Sequence, residues 1–325
     1  MPGGRTLLLG LMRVKELSIL LVTIAAAIYF STSSDAFNSV ANYQTIAQYV
    51  APWSIIAAGE VMLLICGEID LSAGFVFALA PFLLMQFYVN GWPLALALLG
   101  AIVASMLIGV INGLIRTVLG VPSFITTLGM AFLLYGLVLI ISGGRPVAAP
   151  KDAAVMQVFG GAKWTELLWA IGVIIVLQVI LSGTRFGIHT QATGGNRVGA
   201  AESGIAINRI KVINFAVLGT LAGLAGILQG TRVGSYDPTN GGFDTMFFGV
   251  ASAVIGGTAL LGGTGTVVGA FLGALLLGIA FDGFNVLGVS ANAFNVVLGA
   301  AILIAMILNV SLLVLRKRMG SRELA

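Results

Sequence analysis

The sequence predicts an all-α polytopic membrane protein of about ten transmembrane helices, and three observations predict it. Hydrophobic residues fill 58% of the 325 positions and charged residues only 9%, with a mean hydropathy of +1.07. That much apolar surface has no place in a soluble core, but it is the natural exterior of a chain dissolved in a bilayer. The apolar residues also come in long continuous runs, not in the short alternating strands of a transmembrane barrel. Most of the basic residues lie beside the ends of those runs, so membrane orientation explains the net charge of +4 and the pI near 9.4 without nucleic acid. The whole chain, 1–325, reads as one transmembrane domain.

A crossing needs about 20 mostly apolar residues. In chain order the candidates are 17–30, 45–66, 71–89, 92–115, 122–142, 164–182, 212–230, 245–260, 266–281 and 293–315. The first follows Arg5, Arg13 and Lys15 and resembles the apolar stretch of a signal peptide. No small-x-small cleavage site follows it, and the orientation below requires it, so it reads as a retained span. With the N-terminus inside, alternation puts Arg5, Arg13, Lys15, Arg116, Arg185, Arg197, Arg209, Lys211, Arg316, Lys317, Arg318 and Arg322 on the cytoplasmic side. Only Arg145, Lys151, Lys163 and Arg232 fall outside. This bias predicts an even number of spans with both termini cytoplasmic. The external segments large enough to meet a partner are 31–44, 143–163 (with Pro146, Pro150, Lys151 and Asp152) and 231–244, whose YDPTNGG reads as a turn.

Glycine is frequent, with 44 residues, and several lie four apart: Gly109/Gly113, Gly219/Gly223, Gly226/Gly230 and Gly269/Gly273. This spacing lets helix backbones approach closely in lipid, either within the chain or along a seam between two copies.

A charge at mid-bilayer costs at least about 2.5–3.5 kcal/mol, so intramembrane carboxylates are functional candidates. Glu60 lies deep in the second span, and Asp282 ends the ninth, just before Gly283. Glu60 is either a pathway group or a buried carboxyl bonded to a neighbouring helix. Glu68 and Asp70 lie in GEIDLSAG (67–74), which breaks two apolar runs. That segment is either a tight cytoplasmic turn or an unwound stretch lining a cavity.

The longest polar interruption is 184–211, whose Arg185, Arg197, Arg209 and Lys211 place it in cytoplasmic water. It reads as the surface through which another protein pushes on this one. Within it Asn196 is a good N-cap, 197–203 suits about two helical turns, and Gly204 fits the stop position. Val198 and Ala201 share one side of that helix with Ala200 close by. This small face suits insertion into a partner's groove or, alternatively, lying on the membrane.

His189 is the only histidine and reads as solvated. Cys66 is the only cysteine, so no intrachain disulfide forms. There is no metal-ligand cluster, nucleophile–base pairing or GxSxG. The segment GGTALLGGTGT (256–266) has the glycines of a phosphate loop but lacks its lysine. Any ATP used here must be bound by another chain.

Four stretches in order resemble the permease subunits of bacterial ABC importers for ribose, xylose, arabinose, galactose and related simple sugars. They are GEIDLSAG, INGLIRTVLGVPSFITTLG (111–129), ATGGNRVGAAESGI (192–205) and AVIGGTALLGGTGTVVGAFLGALLLGIAFDGFNVLGV (253–289). The resemblance implies a type II, vitamin B12-permease-like fold of roughly ten helices in the bacterial cytoplasmic membrane. It further implies a second, identical permease chain, a tandem ATPase holding ATP and Mg on the cytoplasmic face, and an extracytoplasmic sugar-binding protein. No cofactor or metal is expected in this chain, which is not itself an enzyme. The mechanism implied is alternating access, with the coupling loop moved by ATP binding and hydrolysis.

The expected ATPase-coupling residues are Gly194, Gly195, Asn196, Ala200, Ala201, Glu202, Ser203 and Gly204. The substrate-pathway candidates are Glu60, Asp70, Ser72, Asn112, Phe124, Thr127, Phe243, Asp244, Phe247, Asp282 and Asn285. Three features depart from the family pattern: Glu68 stands for a small residue, Asp282 for an amide, and FDTMFFGVAS (243–252) is unusually aromatic. Phe243, Met246, Phe247 and Phe248 would accordingly shape the passage. Carboxylates bond polyol hydroxyls well, which keeps a sugar or sugar alcohol in view. The alternatives are a nucleoside or branched-chain amino-acid permease of related architecture, or an ion-coupled transporter using Glu60, Asp70 and Asp282. The ion-coupled reading lacks a visible internal repeat and leaves the polar loop unexplained.

Overall fold

Helix α2 (Val40–Ile65) runs through the middle of the chain. The Ser39 hydroxyl caps it by accepting from the Asn42 N–H at 3.2 Å, and every residue from 50 to 65 is buried. A helix apolar on all sides belongs inside a bundle, as α2 is from residue 50 onward, whereas its first turns leave Val40 and Tyr43 exposed. The computed structural model describes residues 15–150 and 153–290, with isolated helical positions between 293 and 307.

The other helices of the first half are α1 (Lys15–Ser33), α3 (Ala73–Val89), α4 (Leu94–Val118), α5 (Ser123–Ser142) and α6 (Thr165–Gly183), of which α6 packs directly on α2. They are followed by α7 (Arg185–Gly195), α8 (Arg197–Glu202), α9 (Ile207–Val233), α10 (Gly242–Ile255) and α11 (Val267–Val286). Pro52 and Pro81 lie inside α2 and α3 without ending them, as packed membrane helices allow.

Among the described residues, seven helices are long and apolar enough to cross a membrane: α1, α2, α4, α5, α6, α9 and α11. The expected span at 71–89 is the shorter apolar helix α3, and the one at 245–260 is α10, which stops at Ile255 after 14 residues. At 1.5 Å per residue α10 covers about 21 Å, short of a bilayer core of about 30 Å. It stops because Gly257, Gly262 and Gly263 take positive φ and turn the chain back. The expected span at 293–315 lies mostly outside the described residues, as do Arg5, Arg13, Lys151, Asp152, Arg316, Lys317, Arg318 and Arg322.

Burial sorts the helices. The apolar windows of α1, α4, α5 and α6 are only 17% to 33% buried, against 89% for α2 and 72% for α9. The outer helices thus present large apolar side chains such as Leu107, Ile140 and Leu168 outward, as lipid requires.

The glycine pairs are contacts within the chain. A methyl group at Gly109 would overlap the Phe215 carbonyl, and one at Gly219 would meet the Ser105 carbonyl oxygen. Gly113 and Gly223 tighten the same α4–α9 seam, Gly226 lies on the Phe77 backbone of α3, and Gly230 abuts the Tyr236 ring. Gly269 and Gly273 do the same for α11 against α10, meeting the Gly256 and Ser252 carbonyls. Close backbone approach in lipid depends on such small residues.

The bundle has two distinct ends. At one, β1 (Val147–Ala148) pairs antiparallel with β2 (Ser235–Tyr236), joining segments 143–163 and 231–244. At the other, α7 and α8 replace the expected solvated loop 184–211. That expectation is corrected in two respects. Its first part is helical, because the Thr184 hydroxyl caps α7 by accepting from Gly187 N–H at 3.2 Å. Its last residue, Lys211, is buried inside α9 and does not lie in water.

Candidate functional site

The α7–α8 elbow is built as its sequence dictates. Asn196 breaks the two helices apart with an extended backbone (φ −150°, ψ 92°), and its side-chain oxygen accepts from Gly199 N–H at 3.0 Å, starting α8. Ser203 closes α8 by bonding back to the Gly199 carbonyl, and Gly204 takes φ +79° beyond it. Gly195, Asn196, Ala201, Glu202, Ser203 and Gly204 are exposed, as is Val198. Ala200 is buried, so the outward face is formed by Arg197, Val198, Ala201 and Glu202 and continues into Ile205 and Arg209. Gly194 turns inward, where it does a different job from its neighbours.

Gly194 lies against the C-terminal end of α2. A methyl group there would overlap the Ile65 carbonyl, and that carbonyl also accepts from Gly263 N–H at 2.8 Å. Gly262 and Gly263 in turn touch the backbones of Gly194 and Gly195. Three segments distant in sequence therefore meet backbone to backbone: the end of α7, the end of α2 and the turn between α10 and α11. The Cys66 thiol fixes the same corner, facing the Thr190 carbonyl and receiving a bond from Asn214 Nδ2 at 3.1 Å.

From this corner 66–72 runs as a mostly buried, non-helical connection from α2 into α3, with turns at 66–67 and 71–72 and Gly67 exposed. Its backbone groups find side-chain partners on α5: Leu71 N–H donates to Thr127 Oγ1 at 3.0 Å and Ile69 N–H to Ser123 Oγ at 3.4 Å. Asp70 folds onto Ser72, accepting from its N–H at 2.8 Å and its hydroxyl at 2.6 Å. Asn112 on α4 joins them, donating to Asp70 Oδ2 at 3.1 Å and Ser72 Oγ at 2.9 Å. Burial raises the Asp70 carboxyl, and the bonds from Ser72 and Asn112 partly offset this. Glu60, fully buried, lies beside Asp70, whose backbone N–H faces its carboxyl.

Glu68 sits between two cations. Arg116 Nε donates to both of its oxygens at 2.9 Å, and Lys211 Nζ bonds to Oε1. Burial works to raise this carboxyl, but the bonds from Arg116, Lys211 and Ser123 outweigh it and hold it below its ordinary value. Sequence reasoning marked Glu68 as a departure and put Arg116 and Lys211 on one side of the membrane, but it did not join the three.

The structure thus gathers Glu60, Asp70, Ser72, Asn112 and Thr127 into one buried polar network. The other pathway candidates lie elsewhere. Asp282 on α11 accepts from Asn42 Nδ2 at 2.7 Å, about 27 Å along α2 from Glu60 at 1.5 Å per residue. Asn285, Asp244, Phe124 and Phe247 are exposed. Phe243 stacks edge-on to Phe75, while Phe248 lies flat on Trp53 with ring centroids 4.0 Å apart and Met246 is buried. His189 is half-buried on α7, not freely solvated. No group of three or more metal-ligating side chains occurs among the described residues.

The chain matches, over residues 42–306, the family described as the permease component of branched-chain amino acid transport systems. It is 39% identical over 289 residues to the xylose/arabinose import permease XylH of Sulfolobus acidocaldarius, covering 86% of this chain and 80% of that one. It is 34% identical over 282 residues to the ribose import permease RbsC of Escherichia coli K12, covering 85% and 86%. It is 35% identical over 225 residues to the autoinducer 2 import system permease LsrC of Yersinia enterocolitica, covering 69% and 62%.

Proposed function

Since this chain belongs to the permease-component family of branched-chain amino acid transport systems, we propose that it is the membrane-spanning subunit of an ATP-driven importer for a monosaccharide or related polyol. Similarity at 39% across most of the chain to a xylose/arabinose permease carries the substrate class. The geometry that supports ATP drive is the backbone junction of Gly194, Ile65 and Gly263, which gives the exposed α7–α8 elbow a rigid purchase on the bundle.

In this reading two identical chains, each of about ten helices in the type II arrangement, enclose the pathway between them. The α7–α8 end faces the cytoplasm with both termini, and a tandem ATPase that binds ATP and Mg docks there. The strand end faces outward and receives a sugar-loaded binding protein. The twelve basic residues that alternation places inside support this orientation.

Motion follows the contacts. An ATPase groove holding Val198 and Ala201 displaces α8, and Asn196 passes the displacement to α7. Gly194 has no side chain to yield, so α7 bears directly on the end of α2 and on the 256–266 turn. Both lead into the connection 66–72, where Asp70, Ser72 and Asn112 exchange hydrogen bonds between α3 and α4. Glu60, Asp70, Ser72, Asn112 and Thr127 are the pathway groups nearest this transmission. Their hydroxyl, amide and carboxyl groups can exchange bonds with sugar hydroxyls when the helices part.

The testing experiment is affinity purification of the tagged chain in mild detergent with an ATPase assay of what accompanies it. The reading requires a co-purifying ATPase stimulated by a sugar-loaded binding protein. A permease that purifies alone and transports on an ion gradient without ATP would contradict it.

A further inference from the structure

A cavity of about 150 Å³ opens at the strand end, in a region to which neither the elbow nor the buried network extends. It is lined by Gln44 and Gln48 from the start of α2, by Lys163, Trp164 and Glu166 at the start of α6, and by Arg232 at the end of α9. Segments 31–44, 143–163 and 231–244, read from sequence as separate external loops, converge on it.

The cavity wall is rigid. Gly160 (φ +108°) lies directly on the Leu228 carbonyl of α9, where any side chain would overlap it. Trp169 Nε1 donates to the Val158 carbonyl at 2.8 Å, and its ring stacks on Phe159 with centroids 5.3 Å apart. Trp164 is the only non-glycine residue with positive φ (66°) among those described, and it remains 43% exposed. A bulky residue kept in that region costs about 1–3 kcal/mol, and such strain concentrates at ligand clamps. Glu166 is 4% exposed. Its Oε2 accepts from Arg232 Nε at 2.7 Å, while its Oε1 is buried with no partner among the described residues. An unmet carboxylate oxygen inside a folded protein is costly, and a ligand hydroxyl would satisfy it.

We propose that this cavity is an entry subsite for a single sugar ring or comparably small polyol. Trp164 covers the apolar face of the ring, while Glu166, Arg232, Gln44 and Gln48 bind its hydroxyls. The inference rests on the sugar-permease reading and adds a site to it. The chemistry fits. The carboxylate accepts, the guanidinium and ammonium donate, and the two amides do both, so the lining matches hydroxyls that both donate and accept. The indole offers a broad apolar plane beside these polar groups. The cavity volume of about 150 Å³ suits a single ring. The Glu166–Arg232 pair is mutually neutralised, so the site does not demand a charged ligand.

The test uses the full-length permease with its ATPase but without the binding protein. Tryptophan fluorescence is titrated with D-xylose, L-arabinose and D-ribose, and ATP-driven uptake of the same sugars and of leucine is measured with the binding protein restored. At least one sugar should give a saturable signal that Trp164→Phe abolishes. Gln48→Ala and Glu166→Gln should each weaken it about tenfold, the loss of one hydrogen bond to a charged or buried partner. Gln48→Ala guards against an effect on folding, since it alters neither the strained turn nor the Glu166–Arg232 pair. Sugar uptake without a saturable signal, or a signal unchanged in all three variants, overturns the subsite and leaves the permease reading standing. Uptake of leucine with neither signal nor uptake for any of the three sugars overturns both.

Discussion

Glu68 is the residue on which the α7–α8 end most depends electrostatically. Its carboxylate is buried between Arg116 and Lys211, so removing one cation takes a charge-assisted hydrogen bond from it and leaves the other cation as its ionic partner, at a cost of about 1.5–3 kcal/mol. Lys211→Met should lower the thermal midpoint of the detergent-solubilised protein, whereas Arg209→Met, on the exposed side of the same helix, should leave it near wild type. The Glu68 carboxyl is held below its ordinary value in the folded protein, so its contribution is complete above the ordinary glutamate pKa. That contribution is lost as pH falls through the depressed folded value, because the unfolded chain then takes up the proton first. The thermal midpoint should therefore decline over that acidic window, and Glu68→Gln should flatten the decline. Glu60 behaves differently, since no ion pair is lost when it is neutralised. Glu60→Gln should keep the fold and reduce uptake; a folded variant with wild-type uptake would make the residue structural. At this scale the sequence showed which residues were unusual but not their partners. Glu68 and Lys211 are 143 positions apart, and only the fold brings them together. Glu166 escaped notice altogether, because an acidic residue in a first helical turn is unremarked in a sequence.

At the scale of elements, the α7–α8 elbow separates two roles that one sequence motif had merged. Gly195 and Ala201 are exposed and have room for side chains, whereas Gly194 has none. Ala201→Arg should leave the permease folded in membranes but uncouple ATP hydrolysis from uptake, read as ATPase activity no longer stimulated by substrate. Gly194→Val should lower stability as well, because its methyls must displace the Ile65 carbonyl and the bond it accepts from Gly263. Equal thermal midpoints for the two variants would contradict the junction. The cap at Asn196, the stop at Gly204 and the approximate places of nine helices were legible because capping chemistry and apolar runs are local signals. Helix α7 was not, since TRFGIHTQATGG carries no apolar periodicity and its hydrophilic residues read as solvated. The end of α10 at Ile255 was missed because the apolar residues continue to Leu261 while the glycines between them end the helix.

For the whole molecule, the buried α2 and α9 and the outward apolar faces of α1, α4, α5 and α6 describe a bundle that meets lipid on one side and itself on the other. The glycine seams occupy internal contacts, so they leave the surface where a second chain would pack to other residues. Gly109→Leu should accordingly destabilise the monomeric unit by prising α4 from α9, seen as a lowered thermal midpoint at every protein concentration. A loss that appears only on dilution would instead mark the seam as intermolecular. The membrane class was written in composition, whereas the side that each end faces rests on the distribution of basic residues alone. The family description names branched-chain amino acids while the individual relatives name sugars, so the substrate is the central claim to test. The most direct measurement is uptake of D-xylose, L-arabinose, D-ribose and leucine into proteoliposomes carrying the permease, its ATPase and its binding protein, with ATP or a non-hydrolysable analogue inside. The account predicts accumulation of at least one sugar with ATP only, and none of leucine. ATP-driven accumulation of leucine without any sugar would contradict it.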